Sequence, residues 1–98
     1  MLQIRQTEVF FRWLADLTDR GQSANPGALG IGPTRNLGDS ASVGGGVHEF
    51  RVHIGPGYRI YFAQRRKVVV ILLCAGDKST QSRDIARAKR LLHEIEAE

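Results

Sequence analysis

The chain of 98 residues carries a net charge of +4, and 42% of its residues are hydrophobic and 24% charged. These proportions are typical of one soluble globular domain with a modest core. The N-terminus lacks the apolar stretch of a secretory signal, and the longest apolar run, residues 68–75, is too short to span a bilayer. We therefore expect a cytoplasmic protein with no membrane partner. The single cysteine, Cys74, has no partner for a disulfide and no companions for a zinc site, so we expect a buried thiol.

Basic residues are concentrated in the second half of the chain. Between residues 51 and 90 the only acids are Asp77 and Asp84. The basic residues of this stretch are Arg51, Arg59, Arg65, Arg66, Lys67, Lys78, Arg83, Arg87, Lys89 and Arg90. Such an asymmetry indicates either a polyanionic partner or a solvated basic face without a ligand, and composition does not distinguish the two.

The first third of the chain contains one clear helix. Residues 2–5 can form a short edge strand. Thr7 is a good N-cap, and apolar residues recur after it at helical spacing, which predicts an amphipathic helix over residues 8–19. Residues 21–46 are rich in glycine and proline and have no apolar period, which predicts an unusually long loop.

The remainder reads as three strands and a helix. Residues 48–54 and 58–64 alternate between apolar and polar side chains, which predicts two half-buried strands joined by the turn Gly55-Pro56-Gly57. Residues 67–75 are almost continuously apolar, as in a strand covered on both faces. An amphipathic helix is predicted over residues 80–96.

The hydrophobic pattern also predicts the register of the hairpin. The apolar positions of the two strands must share one buried face, which requires Ile54 to pair with Tyr58. On the opposite face, the same register pairs His53 with Arg59 and Arg51 with Tyr61. Side chains that lie directly opposite are about 5 Å apart at Cβ, so these four should form one patch.

Lys78 is expected to join this patch, because the third strand ends beside the beginning of the second, near Arg59. Concentrating like charges costs stability, so an anion is the expected ligand of Arg51, Arg59 and Lys78. A phosphate of RNA suits such a site, since fixed cations stabilise the charge that develops when the neighbouring 2′-hydroxyl attacks. We predict that His53 or Tyr61 transfers protons, or that Tyr61 stacks on a base, with no metal or other cofactor. The alternative is that the arginines coat a solvent-facing sheet.

Further basic residues are predicted to bind or steer RNA around this site. They lie in the turn after the second strand and on the last helix: Arg65, Arg66, Lys67, Arg83, Arg87, Lys89 and Arg90.

Several motifs resemble those of a known superfamily. They are the stretch GPGYRIYF, the apolar strand running into AGDKS, the helix beginning DIARAK, the N-terminal QTEVFFRWLADLTDR and the tetrapeptide NLGD. Together they resemble the RelE/ParE superfamily, most closely its HigB-like addiction-module killer proteins. The resemblance covers most of the chain outside residues 21–35. It implies a single α+β domain over residues 1–98, with one or two N-terminal helices and a C-terminal helix packed on an antiparallel sheet of three to four strands.

The resemblance also implies a function. It indicates the toxin of a type II toxin–antitoxin pair, an endoribonuclease that cleaves messenger RNA on the ribosome and is inhibited by a helix-turn-helix, HigA-like antitoxin. Arg59 matches the central strand arginine of the family, Lys78 stands where relatives have a basic residue before the last helix, and Arg51 stands where some have lysine. The late tyrosine of some relatives is not matched, because Asp84 occupies about that place, so the general base stays open. The ParE branch shares the fold but poisons DNA gyrase, which is the alternative function.

Residues 21–35 depart from the family, whose members have a second helix here. Back-translated with permissible codons and read one base later, this stretch yields G-K-A-R-I-L-A-R-L-E-L-A-R-L-G, which has helical periodicity and joins onto Asn36-Leu37. Our hypothesis is a compensated pair of frameshifts that replaced the helix with a loop, and a non-catalytic relic is then a third possibility. The codons of the gene test it.

Overall fold

The computed structural model describes residues 3–17, 40–52, 57–65 and 69–97. The predicted frameshifted segment therefore lies outside the described residues. The elements in chain order are β1 (Gln3–Gln6), α1 (Glu8–Leu17), β2 (Ala41–Gly44), β3 (Val47–Val52), β4 (Tyr58–Arg65), β5 (Val69–Gly76), a short 3-10 helix (Lys78–Thr80) and α2 (Gln81–Glu96). Across these ranges, no helix combines the length and apolar character needed to cross a membrane.

The strands form one sheet in the order β1-β5-β4-β3-β2. The α+β class is confirmed, but the prediction of three to four antiparallel strands is wrong: the described residues form a sheet of five strands, and β1 pairs with β5 in parallel. The fifth strand, β2, lies inside the segment that we predicted to be a loop. It is a four-residue edge strand in which only Val43 is even partly buried, so it carries little hydrophobic signal.

One face of the sheet packs against α1. Phe10 and Leu14 of this helix are fully buried against Phe50, Ile60 and other residues of β3, β4 and β5. Thr7 caps the helix as predicted, because its hydroxyl accepts a hydrogen bond from the Phe10 amide (3.1 Å) and donates one to the carbonyl of Leu73 (2.6 Å). The cap thus joins the start of α1 to the central strand β5.

The other face packs against α2, through Ala88 and Leu92. A bulge in β5 leaves Leu73 without a partner in β4, and Leu73 and Cys74 both join this second core. Cys74 is buried as expected, and its thiol donates to the carbonyl of Asp84 (3.3 Å). Burial raises the pKa of the Cys74 thiol to about 12.

The predicted hairpin register is wrong by two residues. Tyr58 pairs with Val52 and not with Ile54. A shift of two residues keeps every side chain on its face of the sheet, because side chains alternate with a period of two. The hydrophobic pattern therefore selects the correct faces without distinguishing these two registers.

The junction between β5 and α2 requires a glycine at position 76. A Cβ atom there would lie 2.0 Å from Oδ2 of Asp84 and 2.7 Å from Oγ1 of Thr80. The Asp84 carboxylate is buried and accepts a hydrogen bond from the Thr80 hydroxyl (2.5 Å), so it cannot move aside without losing that bond. The missing side chain lets the first turn of α2 approach the end of the sheet.

We expect Gly76→Ala to lower the free energy of unfolding by about 1–3 kcal/mol, because the added methyl group is forced against buried atoms. Urea denaturation measures the change. In an Asp84→Ala background the cost of the glycine substitution should be smaller, since the nearest atom is gone. An equal cost in both backgrounds would contradict this explanation.

Candidate phosphate-binding site

Arg51 and Arg59 lie directly opposite each other on neighbouring strands. They are register partners of β3 and β4, on the face that α2 covers further along. Their Cβ atoms are therefore about 5 Å apart. The prediction that Arg51 faces Tyr61 is wrong, because Tyr61 pairs with Glu49, but the two arginines do share one face.

A buried carboxylate joins the two arginines. Oε1 of Glu49 lies 2.7 Å from Nη1 of Arg59 and 3.5 Å from Nε of Arg51. Glu49 is 6% exposed, whereas the side chains of Arg59 and Arg51 are 13% and 62% exposed. Arg59 is thus held inside the site and Arg51 faces solvent. A buried carboxylate needs such partners, because an unpaired charge in the interior is costly.

Sequence reasoning missed the role of Glu49. The signal was available in the alternation of β3, which places Glu49 on the same face as Arg51 and two residues before it. We predicted that this face is exposed to solvent, and a glutamate on an exposed strand face does not indicate a functional role. The face is covered by α2 at this point, and the glutamate is buried in consequence.

The segment that carries Lys78 adjoins the same site. Arg59 pairs with Gly76, and Lys78 follows Gly76 by two residues. The Cα atoms of Gly76 and Lys78 are therefore at most about 7 Å apart. Gln81, three residues further, donates from Nε2 to Oε2 of Glu49 (2.9 Å). Lys78 is exposed and helps to line a shallow pocket of about 380 Å³ at the start of α2. Asp77 shapes this turn by accepting hydrogen bonds from Ser79, which lower the pKa of its carboxyl group.

The structure contradicts the roles predicted for Tyr61. Its side chain is 0% exposed, packed in the second core, so it cannot stack on an RNA base or exchange protons with a bound substrate. Burial raises the pKa of the Tyr61 hydroxyl to about 12, and the negative charges of Glu49 and Asp84 contribute to the increase. This hydroxyl finds no hydrogen-bond partner among the described residues. His53, the other predicted proton carrier, lies outside the described residues.

The other predicted RNA-binding residues do not form one surface. Arg65 lies at the far end of β4 from Arg59, about 20 Å along the strand. Arg66 and Lys67 lie outside the described residues. On α2, three exposed arginines follow the spacing of one helical face: Arg83, Arg87 and Arg90.

Lys89 faces a different part of the molecule. The glycines of the turn between β2 and β3 all have positive φ, and Cβ atoms built on Gly44 and Gly45 would lie 3.3 Å from Nζ and 3.4 Å from Cγ of Lys89. The lysine stem therefore packs on a turn made of bare backbone, which separates Lys89 from the three arginines.

The site as a whole is suited to an oxyanion. Arg51 and Arg59 both face one carboxylate, Glu49, so these three side chains together carry a net positive charge. The guanidinium of Arg59 has five N–H donors and directs Nη1 to Glu49, which leaves donors for a second oxyanion. Within the described ranges, no three His, Cys, Asp or Glu side chains are grouped as metal ligands.

The chain belongs to the same family as a protein of Haemophilus influenzae described as "Uncharacterized protein". The two are 43% identical over 98 residues, an alignment that covers 96% of each chain. No family model and no solved structure matches the chain.

We expect Tyr61→Phe to raise the free energy of unfolding by about 1 kcal/mol at pH 7, because the variant no longer buries an unpartnered hydroxyl. The wild type should also lose stability as the pH rises from 10 towards 12. In that range the unfolded chain releases the phenol proton and the folded chain retains it. Tyr61→Phe should lack this contribution to the loss of stability at alkaline pH. Urea denaturation at several pH values tests both effects, and a clear destabilisation at pH 7 would show that the hydroxyl has a partner.

Proposed function

We propose that this protein is the toxin of a type II toxin–antitoxin pair, a metal-independent endoribonuclease that cleaves messenger RNA on the ribosome. The observation that carries the proposal is the pair of opposed arginines that share one buried carboxylate, Glu49. The motif resemblance to RelE- and HigB-like toxins supports the same function. From this resemblance we expect two partners, the ribosome and a HigA-like, helix-turn-helix antitoxin.

In this proposal the scissile phosphate binds between Arg51 and Arg59, with Lys78 at its edge. Arg59 is the fixed donor, because its side chain is largely enclosed and already oriented by Glu49. Arg51 is exposed and closes on the phosphate from the solvent side. The two guanidinium groups stabilise the negative charge that develops on the phosphoryl oxygens.

Glu49 is then the general base, in place of the buried Tyr61. Its carboxylate lies beside the arginines that bind the phosphate, so a 2′-hydroxyl next to that phosphate comes within its reach. The carboxylate accepts the 2′-hydroxyl proton as the 2′-oxygen attacks phosphorus. The bond to the 5′-oxygen breaks, and that oxygen takes a proton from solvent while the Lys78 ammonium stabilises its charge. The products are a 2′,3′-cyclic phosphate and a 5′-hydroxyl.

The helix α2 extends the positive surface away from this site. Arg83, Arg87 and Arg90 share one face of the helix, whose N-terminal end carries the proposed phosphate site. Exposed cations in a row attract the RNA backbone without reading its bases. The proposal therefore assigns RNA binding to these three arginines, the arginine stripe of α2, and RNA cleavage to the strand residues.

We expect Arg59→Ala and Glu49→Gln to abolish growth arrest and to lower cleavage at least about 100-fold, since each removes a group that acts in the transition state. Arg5→Ala, a matched exposed arginine on β1, should cleave like the wild type. Growth curves and primer extension on cellular messenger RNA measure both effects. If the wild type arrests growth without cleaving messenger RNA, the gyrase alternative is favoured. If the wild type does neither, the protein is a non-catalytic relic.

We further expect each alanine substitution at Arg83, Arg87 or Arg90 to reduce the slope of log affinity against log salt by about 0.7 for single-stranded RNA. The maximal cleavage rate should change little. Lys89→Ala should lower the thermal stability instead, because its stem packs on the glycine turn. Binding titrations at several salt concentrations test this. Equal salt slopes for the wild type and the arginine variants would show that these three arginines do not contact the RNA.

A further inference from the structure

Gln81 holds the second oxygen of the buried carboxylate. Its side-chain nitrogen donates to Oε2 of Glu49 (2.9 Å), while Arg59 donates to Oε1 (2.7 Å). We propose that Gln81 is the positioning residue of the site, which keeps Glu49 oriented as a base and keeps Arg59 available to the phosphate. This inference rests on the proposed ribonuclease function.

An arginine and a carboxylate have a preferred pairing geometry. Left to themselves, the two groups form a bidentate pair, with two parallel N–H···O bonds. Such a pair would occupy two nitrogens of Arg59 and both oxygens of Glu49. In the structure the hydrogen bond from Arg59 runs from Nη1 to Oε1, while Oε2 accepts from Gln81 instead. The glutamine thus holds the carboxylate in an orientation that favours the open pair.

The open pair matters for both steps of the reaction. Arg59 retains N–H groups for the phosphoryl oxygens, and the carboxylate retains a lone pair for the 2′-hydroxyl proton. A carboxylate chelated on both oxygens by one guanidinium would occupy two of the five N–H donors of Arg59 and a lone pair on each oxygen, so fewer of both would remain. Gln81 therefore acts on catalysis through Glu49, without touching the substrate.

Gln81 is well anchored for this task. It is the first residue of α2, and its backbone N–H donates to the carbonyl of Lys78. The helix behind it is fixed by buried Ala88 and by the bond between Thr80 and Asp84. The hydrogen bond to Glu49 joins this rigid helix to strand β3, so the position of the carboxylate follows the position of α2.

The test compares Gln81→Met, which keeps the side-chain length and removes the donor, with wild type. The substitution should lower kcat about 10-fold to 100-fold, as expected for a misplaced catalytic group. It should also weaken binding of a 2′-O-methyl RNA oligonucleotide, which cannot be cut. Gln3→Met, an exposed glutamine on β1, is the matched control and should behave like the wild type. Circular dichroism and thermal unfolding verify that each variant is folded.

A double-mutant cycle separates positioning from a general effect on structure. In a Glu49→Gln background, Gln81→Met should cause almost no further loss of kcat, because groups that act as one unit are not additive. The same loss in both backgrounds, or no loss in either, would overturn the role of Gln81 while the wild type still cleaves. A wild-type protein that cleaves no RNA would instead refute the proposed function, and the role of Gln81 with it.

Discussion

The ion pair between Glu49 and Arg59 is the interaction on which the site depends. A carboxylate that is 6% exposed is tolerated only with charged or hydrogen-bonding partners, and Glu49 has them on both oxygens. Removing either partner of such a buried pair costs about 3–5 kcal/mol in other proteins, because the remaining charge is left without compensation. The same pair fixes the direction in which Arg59 presents its other donors. Stability and the proposed chemistry thus rest on one contact.

The covering of the sheet explains where this pair can exist. Helix α1 seals one face and α2 seals most of the other, and among the described residues the buried carboxylates Glu49 and Asp84 both lie where α2 begins. There the missing side chain of Gly76 lets the first turn of α2 approach the strands, and Gln81 reaches Glu49. The first turn of a helix also carries a partial positive charge, which adds to the attraction for an anion. The packing of the core therefore determines the position of the site.

Much of the fold could be predicted from the sequence, and the failures have physical causes. The alternation of residues 48–52 and 58–64 identified two strands and their faces correctly, because burial enforces a period of two. The register failed because a shift of two residues satisfies the same pattern, so that Arg51 was placed opposite Tyr61 and not opposite Arg59. Strand β2 was missed because it has almost no buried side chain. The parallel pairing of β1 with β5 is a long-range contact that no local pattern encodes.

The site was predictable in part for the same reason. The shared face of Arg51 and Arg59 follows from strand periodicity alone. Tyr61 was assigned to solvent on the same reasoning, and this was wrong because α2 covers its end of that face. Whether a face is covered depends on where a distant helix packs. Glu49 and Gln81 meet across 32 positions of sequence, and only the packed helix brings them together.

The most direct test of the central claim is a nuclear magnetic resonance titration of the arginine side chains with a 2′-O-methyl RNA tetranucleotide. If the phosphate binds between the paired arginines, the side-chain N–H signals of Arg51 and Arg59 should shift along one common saturation curve. The signal of Arg5, on the edge strand, should stay in place. Saturable RNA binding that leaves the Arg59 signal unmoved would contradict a phosphate site built around Glu49 and Arg59.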